Sequence, residues 1–126
     1  SLSNSERKKA ISGVVNKLRK KYGQEFIVDP NNIPPIDPIS TGSLKLDNII
    51  GIGGIPRGRL TEIHGQSGAG KSTLCYLIAA NAQRQYPNEL VVYVDCEQAV
   101  DLAYCRKLGV DTSEEKFLLI QPDSGV

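Results

Sequence analysis

Eight consecutive residues, Gly65-Gln66-Ser67-Gly68-Ala69-Gly70-Lys71-Ser72, restrict this chain more than anything else in it. They fit G-x-x-x-x-G-K-[ST], the phosphate-binding P-loop. Glycines without Cβ atoms let the backbone curl with its N–H groups turned inward around an anion. Lys71 can set a compact positive charge at the β- and γ-phosphates, and the Ser72 hydroxyl can ligate Mg²⁺, which prefers oxygen. The flanks carry equal weight. Leu60-Thr61-Glu62-Ile63-His64 alternates as a strand does, and Lys71 to Tyr86 reads as a helix. Strand, loop and helix in that order are what the motif requires, because the helix N-terminus adds its own attraction for anions.

The remaining bulk properties describe an ordinary domain. The 126 residues suit one modest domain, and 40% hydrophobic with 23% charged residues is typical of a soluble protein. No apolar run approaches the ~20 residues of a membrane span, and no signal-peptide pattern is present. Cys75, Cys96 and Cys105 lack metal-ligand spacing. Free thiols in a reducing cytoplasm are the simplest account of them. Charge is distributed unevenly. Residues 1–21 hold seven bases (Arg7, Lys8, Lys9, Lys17, Arg19, Lys20, Lys21) and one acid, Glu6, so this stretch is +6 and the rest −5 against an overall +1. Such an arm can meet nucleic acid or an acidic partner, or it can simply be a solvated helix face.

Local signals divide the chain. Ser3 with Glu6 has capping-box spacing, and Ile11, Val14, Val15, Leu18 and Tyr22 form an apolar stripe before Gly23, which predicts a helix over 4–22. Glu25 to Val28 suits a short strand. Asp29 to Pro38 holds four prolines, all within the nine residues from Pro30 to Pro38, and reads as a linker without regular structure. Ser43 is placed to cap a short helix over Leu44 to Ile50, with Gly51 at its C-cap. Leu90-Val91-Val92-Tyr93-Val94 is nearly continuous in apolar residues, as expected of a strand covered on both faces. It would close a βαβ unit over 60–94. Asp101 to Leu108 reads as a helix closed by Gly109, and Phe117 to Ile120 as a further strand.

Beyond the loop, Asp95-Cys96-Glu97 falls at the C-terminal end of the 90–94 strand, where open α/β sheets keep their ligands. A carboxylate there can orient and deprotonate the water that attacks a γ-phosphate. Asp95 and Asp101 both suit capping of the following helix, whereas Glu97 has no such use and is the candidate base. Tyr104 offers a face for stacking on adenine, or it is ordinary packing. His64, at a strand end, is assigned no role.

Taken together, these residues resemble bacterial RecA recombinases and their phage relatives. The resemblance is carried by Ile39-Ser40-Thr41-Gly42-Ser43-Leu44-x-Leu46-Asp47, Gly53-Gly54-x-Pro56-x-Gly58-Arg59, Glu62-Ile63-x-Gly65 with the loop, Asp95-x-Glu97, Asp101-x-x-Tyr104-x-Arg106-Lys107-Leu108-Gly109-Val110-Asp111 and Gln121-Pro122-Asp123-x-Gly125. It implies an α/β fold: an incomplete RecA-type ATPase core over 39–126, a parallel sheet with flanking helices, behind an N-terminal arm of helix, polymerisation strand and proline-rich linker over 1–38. It implies a DNA-dependent ATPase that pairs and exchanges strands on single-stranded DNA in recombination and repair, as a homo-oligomeric filament in the cytoplasm. By position, Gly65, Gln66, Ser67, Gly68, Ala69, Gly70, Lys71, Ser72 and Thr73 would hold ATP and Ser72 its Mg²⁺. Glu97 with Lys71 would serve catalysis, Asp101 and Tyr104 would contact the adenine, and Phe26-Ile27-Val28 would dock on a neighbouring subunit.

Three departures accompany the resemblance. The loop interior Gln66-Ser67-Gly68-Ala69 differs from the usual bacterial form, Ser72 replaces a threonine, and Gln98 stands where histidine is common. The family's Walker B strand, DNA-binding loops and inter-subunit lysines would lie beyond Val126, so about the first third of such a protein is expected here. Two other readings fit the residues: a helicase or RadA-like member of the superfamily, and a fragment that binds nucleotide without hydrolysing it.

Overall fold

A computed structural model describes residues 2–123; Gly125 of the last resemblance motif lies outside the described residues. The chain divides into two compact units, Ser1–Pro35 and Ile36–Val126.

The first unit is built on α1 (Asn4–Tyr22). Its start is the expected capping box: the Ser3 hydroxyl accepts from the Glu6 amide, and the Glu6 carboxylate accepts from the Ser3 amide at 2.8 Å. Arg19, Lys20 and Lys21 fill the last turn, where cations oppose the negative end of the helix dipole. No residue of α1 is buried, and Ile11, Val14 and Tyr22 of its apolar stripe are all exposed. The strand expected over 25–28 does not form. Gln24–Phe26 is a single 3-10 turn, with the Phe26 ring 5.2 Å from that of Tyr22. A strand exists through its ladder partner, and no described residue pairs with this segment.

The second unit, which follows the helical arm in the chain, is mixed α/β with a small parallel sheet. It opens on a ribbon, β1 (Pro38–Ile39) and β2 (Ile55–Pro56), paired antiparallel with Pro38 opposite Pro56. Pro38 therefore belongs to a strand, not to a structureless linker. A proline is tolerated at the first position of an edge strand, because its missing N–H costs no ladder bond there. Between the two strands lies α2 (Leu44–Ile50), capped by the Ser43 hydroxyl at the Leu46 amide and ended by Gly51 in the left-handed region. Asp47 of α2 is buried. It accepts from the Thr41 amide at 2.9 Å and from the Ser40 and Thr41 hydroxyls, both at 2.6 Å, which fixes the Ser40–Gly42 turn. These bonds, that from Ser40 first, hold its carboxyl below the usual aspartate range.

Helix α3 (Lys71–Gln85) and strands β3 (Val91–Val94) and β4 (Phe117–Ile120) carry the core. The strands pair in parallel, Val91 opposite Phe117 through Val94 opposite Ile120, and α4 (Leu102–Lys107) connects them. Tyr76, Ala79 and Ala80 of α3, Cys105 of α4, Val110 and Phe117 are buried together, with Val91, Tyr93 and Leu119 against them. The sheet is covered on one face only. Val92 and Val94 are 52% and 56% exposed, where the apolar run predicts burial on both sides. Nor is there a strand over 60–64. That segment makes no ladder, and Leu60 is fully exposed. Alternation supplies a propensity but not a partner. The parallel crossover that does form runs over 91–120 in place of 60–94.

At the far end of α3 the Arg57 guanidinium lies 3.9 Å from the Tyr86 ring centroid and bonds Glu89 at 2.5 Å. The Tyr86 hydroxyl donates to Asp37 at 2.5 Å. This clasp joins β2, the start of β1 and the C-terminus of α3.

Candidate functional site

The glycine loop leads straight into α3. Gly70 is the N-cap residue at φ +97°, a conformation that costs a residue with a Cβ atom. The Ala69 amide donates to the Gln66 carbonyl at 3.1 Å and closes the turn. Lys71, the first helical residue, folds back over it. Its ammonium donates to the carbonyls of Gly65 and Gln66, both at 2.8 Å. Among the described residues the amides of Ser72 and Thr73 find no acceptor. First-turn amides have no partner within the helix and are free for an outside acceptor. The loop thus combines free donors, a lysine cation and a helix N-terminus, a donor set that fits a phosphate group.

The opposite wall comes from the end of β3. Asp95 follows Val94 directly and is buried, 8% exposed. It accepts from the Val100 amide at 3.0 Å and from the Gln121 amide nitrogen at 3.1 Å. Burial works against its charge, but these bonds and the amides of Ala99 and Glu97 hold its carboxyl below the usual range. Asp95 therefore braces the 96–100 loop, in which Gln98 sits at φ +53°. Asp101 takes the helix cap, accepting from the Tyr104 amide at 3.0 Å. That frees Glu97 to face solvent. It lines a cavity of about 470 Å³ with Ser67, Gly68, Gly70, Lys71, Ser72 and Thr73. A smaller one of about 280 Å³ shares Ser72 and Glu97 and reaches inward to Tyr76, Tyr93 and Asp95. A further cavity between α3 and the free edge of β3 is mostly apolar, and its charged residues, Arg57 and Glu89, pair with each other. It lies away from the glycine loop.

Gly65, Gln66 and Ala69 do not line the loop cavity, because their groups close the turn behind it. Asp101 and Tyr104 stand to one side, tied in through Thr73, whose hydroxyl is 3.3 Å from that of Tyr104.

The family model for the RecA N-terminal domain matches residues 9–126. The chain belongs to the RecA family. It is 42% identical to Protein RecA of Bdellovibrio bacteriovorus over 98% of its own length and 33% of that protein's. Against Protein RecA of Geobacter metallireducens it is 43% identical over 95% of this chain and 35% of the relative, and against that of the Wolbachia of Brugia malayi 39% over 96% and 34%. The chain thus spans about a third of the length of the RecA proteins it matches. Among the described residues no helix is long and apolar enough to cross a membrane.

Two contacts beside this cavity are not legible in the sequence. Asp95 reads from sequence as a helix cap, whereas its partner Gln121 is 26 positions away. Tyr76 meets Tyr104 from 28 positions away, and nothing in the local pattern marks it.

Proposed function

We propose that this chain is the ATP-binding first part of a RecA-like recombinase, a DNA-dependent ATPase that promotes homologous pairing and strand exchange on single-stranded DNA. One observation carries the reading: the glycine loop, Lys71, Ser72 and Glu97 open onto one cavity. In this reading ATP supplies the triphosphate and Mg²⁺ the charge that balances it. The free amides of the first turn of α3 bind phosphate oxygens. Lys71 leaves the carbonyls of Gly65 and Gln66 for the β- and γ-phosphates, and Ser72 gives Mg²⁺ a hydroxyl oxygen. Glu97 is the base that orients water at the γ-phosphate, and Asp101 and Tyr104 border the adenine. P-loop RecA-type core is the fold assignment that goes with this reading, over 39–126.

Residues 1–38 act as the arm through which subunits join into a filament on DNA. Exposed Phe26 and Val28, 66% and 61% accessible, suit a contact segment, and the basic face of α1 suits an acidic surface. Three free thiols suit a cytoplasmic location.

A fluorescent ATP analogue titrated against the wild-type chain and Lys71→Ala tests the site. Charge-assisted phosphate contacts contribute ~1.5–3 kcal/mol, so the variant binds about 10- to 150-fold more weakly. Equal affinity would remove the assignment.

A further inference from the structure

Four aromatic rings run in a chain from β4 to the edge of the candidate site. Phe117 to Tyr93 is 6.0 Å between centroids, Tyr93 to Tyr76 is 5.7 Å, and Tyr76 to Tyr104 is 6.1 Å. The last pair is near perpendicular, at 78°, an arrangement aromatic rings prefer because the positive edge of one meets the negative face of the other. The two partners differ in setting. Tyr76 is 4% exposed and wedged between Tyr93 and Tyr104, while Tyr104 is 39% exposed. Tyr76 and Thr73 lie three positions apart on α3 and so share one face of it. One helix turn thus grips Tyr104 of α4 at two points, by its ring and by its hydroxyl. The hydroxyl contact is exposed and 3.3 Å long, so water competes with it. The ring contact is buried on the Tyr76 side, where little surface is left to water.

We propose that Tyr76 is a positioning residue for nucleotide binding: its buried ring fixes the orientation of Tyr104 and so sets the surface offered to the base. This rests on the reading of Tyr104 as a base contact. It deepens that reading by assigning the orientation of Tyr104 to a buried side chain of α3.

The test separates base from phosphate. ATP and inorganic tripolyphosphate, each with Mg²⁺, are titrated by calorimetry against the wild-type chain, Tyr76→Leu, Tyr76→Phe, Tyr104→Ala and the double variant Tyr76→Leu/Tyr104→Ala. An aromatic contact of this kind converts to about 3- to 10-fold in affinity. Tyr76→Leu is expected to weaken ATP by that factor and leave tripolyphosphate unchanged. Tyr76→Phe, which keeps the ring, stays within about 2-fold of wild type on the same scale. In the Tyr104→Ala background, Tyr76→Leu has no further effect. Equal weakening of ATP and tripolyphosphate by Tyr76→Leu, or an undiminished effect without Tyr104, makes Tyr76 a general packing residue and overturns the proposal alone. If Tyr104→Ala binds ATP as tightly as wild type, the base-contact reading falls and the proposal with it.

Discussion

A methyl group on Gly54 would lie 2.1 Å from the carbonyl oxygen of Ile39. The same methyl would be 2.5 Å from the Ile39 carbonyl carbon and 2.9 Å from the Ser40 Cα, all backbone atoms of the opposing ribbon strand and its continuation. No rotamer change relieves that contact. Gly54→Ala is expected to cost about 2–4 kcal/mol through overpacking and an unfavourable φ together. Urea unfolding followed by circular dichroism measures it, and a loss below about 1 kcal/mol would mean that the ribbon opens freely.

Lys71 holds the carbonyls of its own loop, so the proposed phosphate binding would exchange two neutral acceptors for a charged one. Lys71→Arg keeps the charge but replaces a compact ammonium with a planar fork that cannot follow the tight turn. Affinity for tripolyphosphate is expected to drop about 10-fold, near 1.4 kcal/mol, with little change in melting temperature without ligand. Thermal-shift titration reads both quantities. Wild-type affinity in this variant would reduce Lys71 to a diffuse charge.

Glu97 is expected to serve hydrolysis and not binding. In a protein of the length of the RecA relatives, Glu97→Gln should lower DNA-stimulated turnover by ~10²-fold or more while ATP binding stays near wild type. Steady-state phosphate release and nucleotide titration separate the two. Unchanged turnover would place the base elsewhere.

Asp47 supplies a pH signature. Its carboxyl is depressed by the hydrogen bonds from Ser40 and Thr41, so the folded chain binds that proton less readily than the unfolded chain. The stabilisation is complete above the unfolded value of ~3.9 and is lost as pH falls through the lower folded value. Asp47→Asn is expected to melt at a lower temperature than wild type at pH 6. The gap should narrow as pH approaches 2. Melting curves recorded from pH 2 to 6 check this, and a gap that stays constant would show that the Asp47 charge contributes nothing.

The helices were legible because their ends are written locally. Ser3 with Glu6, Ser43, Asp101 and Gly51 each act within four residues, and each cap sits where the pattern puts it. The glycine loop was legible for the same reason. Strands depend on remote partners, and there the reading was weaker. Residues 60–64 and 25–28 have strand-like composition but no ladder. Pro38 and Pro56, poor strand formers, pair with each other because the Gly54 approach brings the ribbon together. Asp95 with Gln121 and Tyr76 with Tyr104 join positions 26 and 28 apart. No local pattern encodes such pairs, and both were found only once the backbone was folded.

Helix α3 begins at Lys71 beneath the loop and ends beside Tyr86 in the Arg57 clasp. Fifteen residues make a rod about 22 Å long. Over that length each degree of tilt about the clasp would swing the N-terminal end of the helix by about 0.4 Å. At the proposed phosphate site, placement of an anion against the loop would therefore depend partly on a cation–aromatic stack two nanometres away. Substitutions at Arg57, Tyr86 or Asp37 would detune the site without touching it, as a loosened pivot spoils the aim of a long pointer.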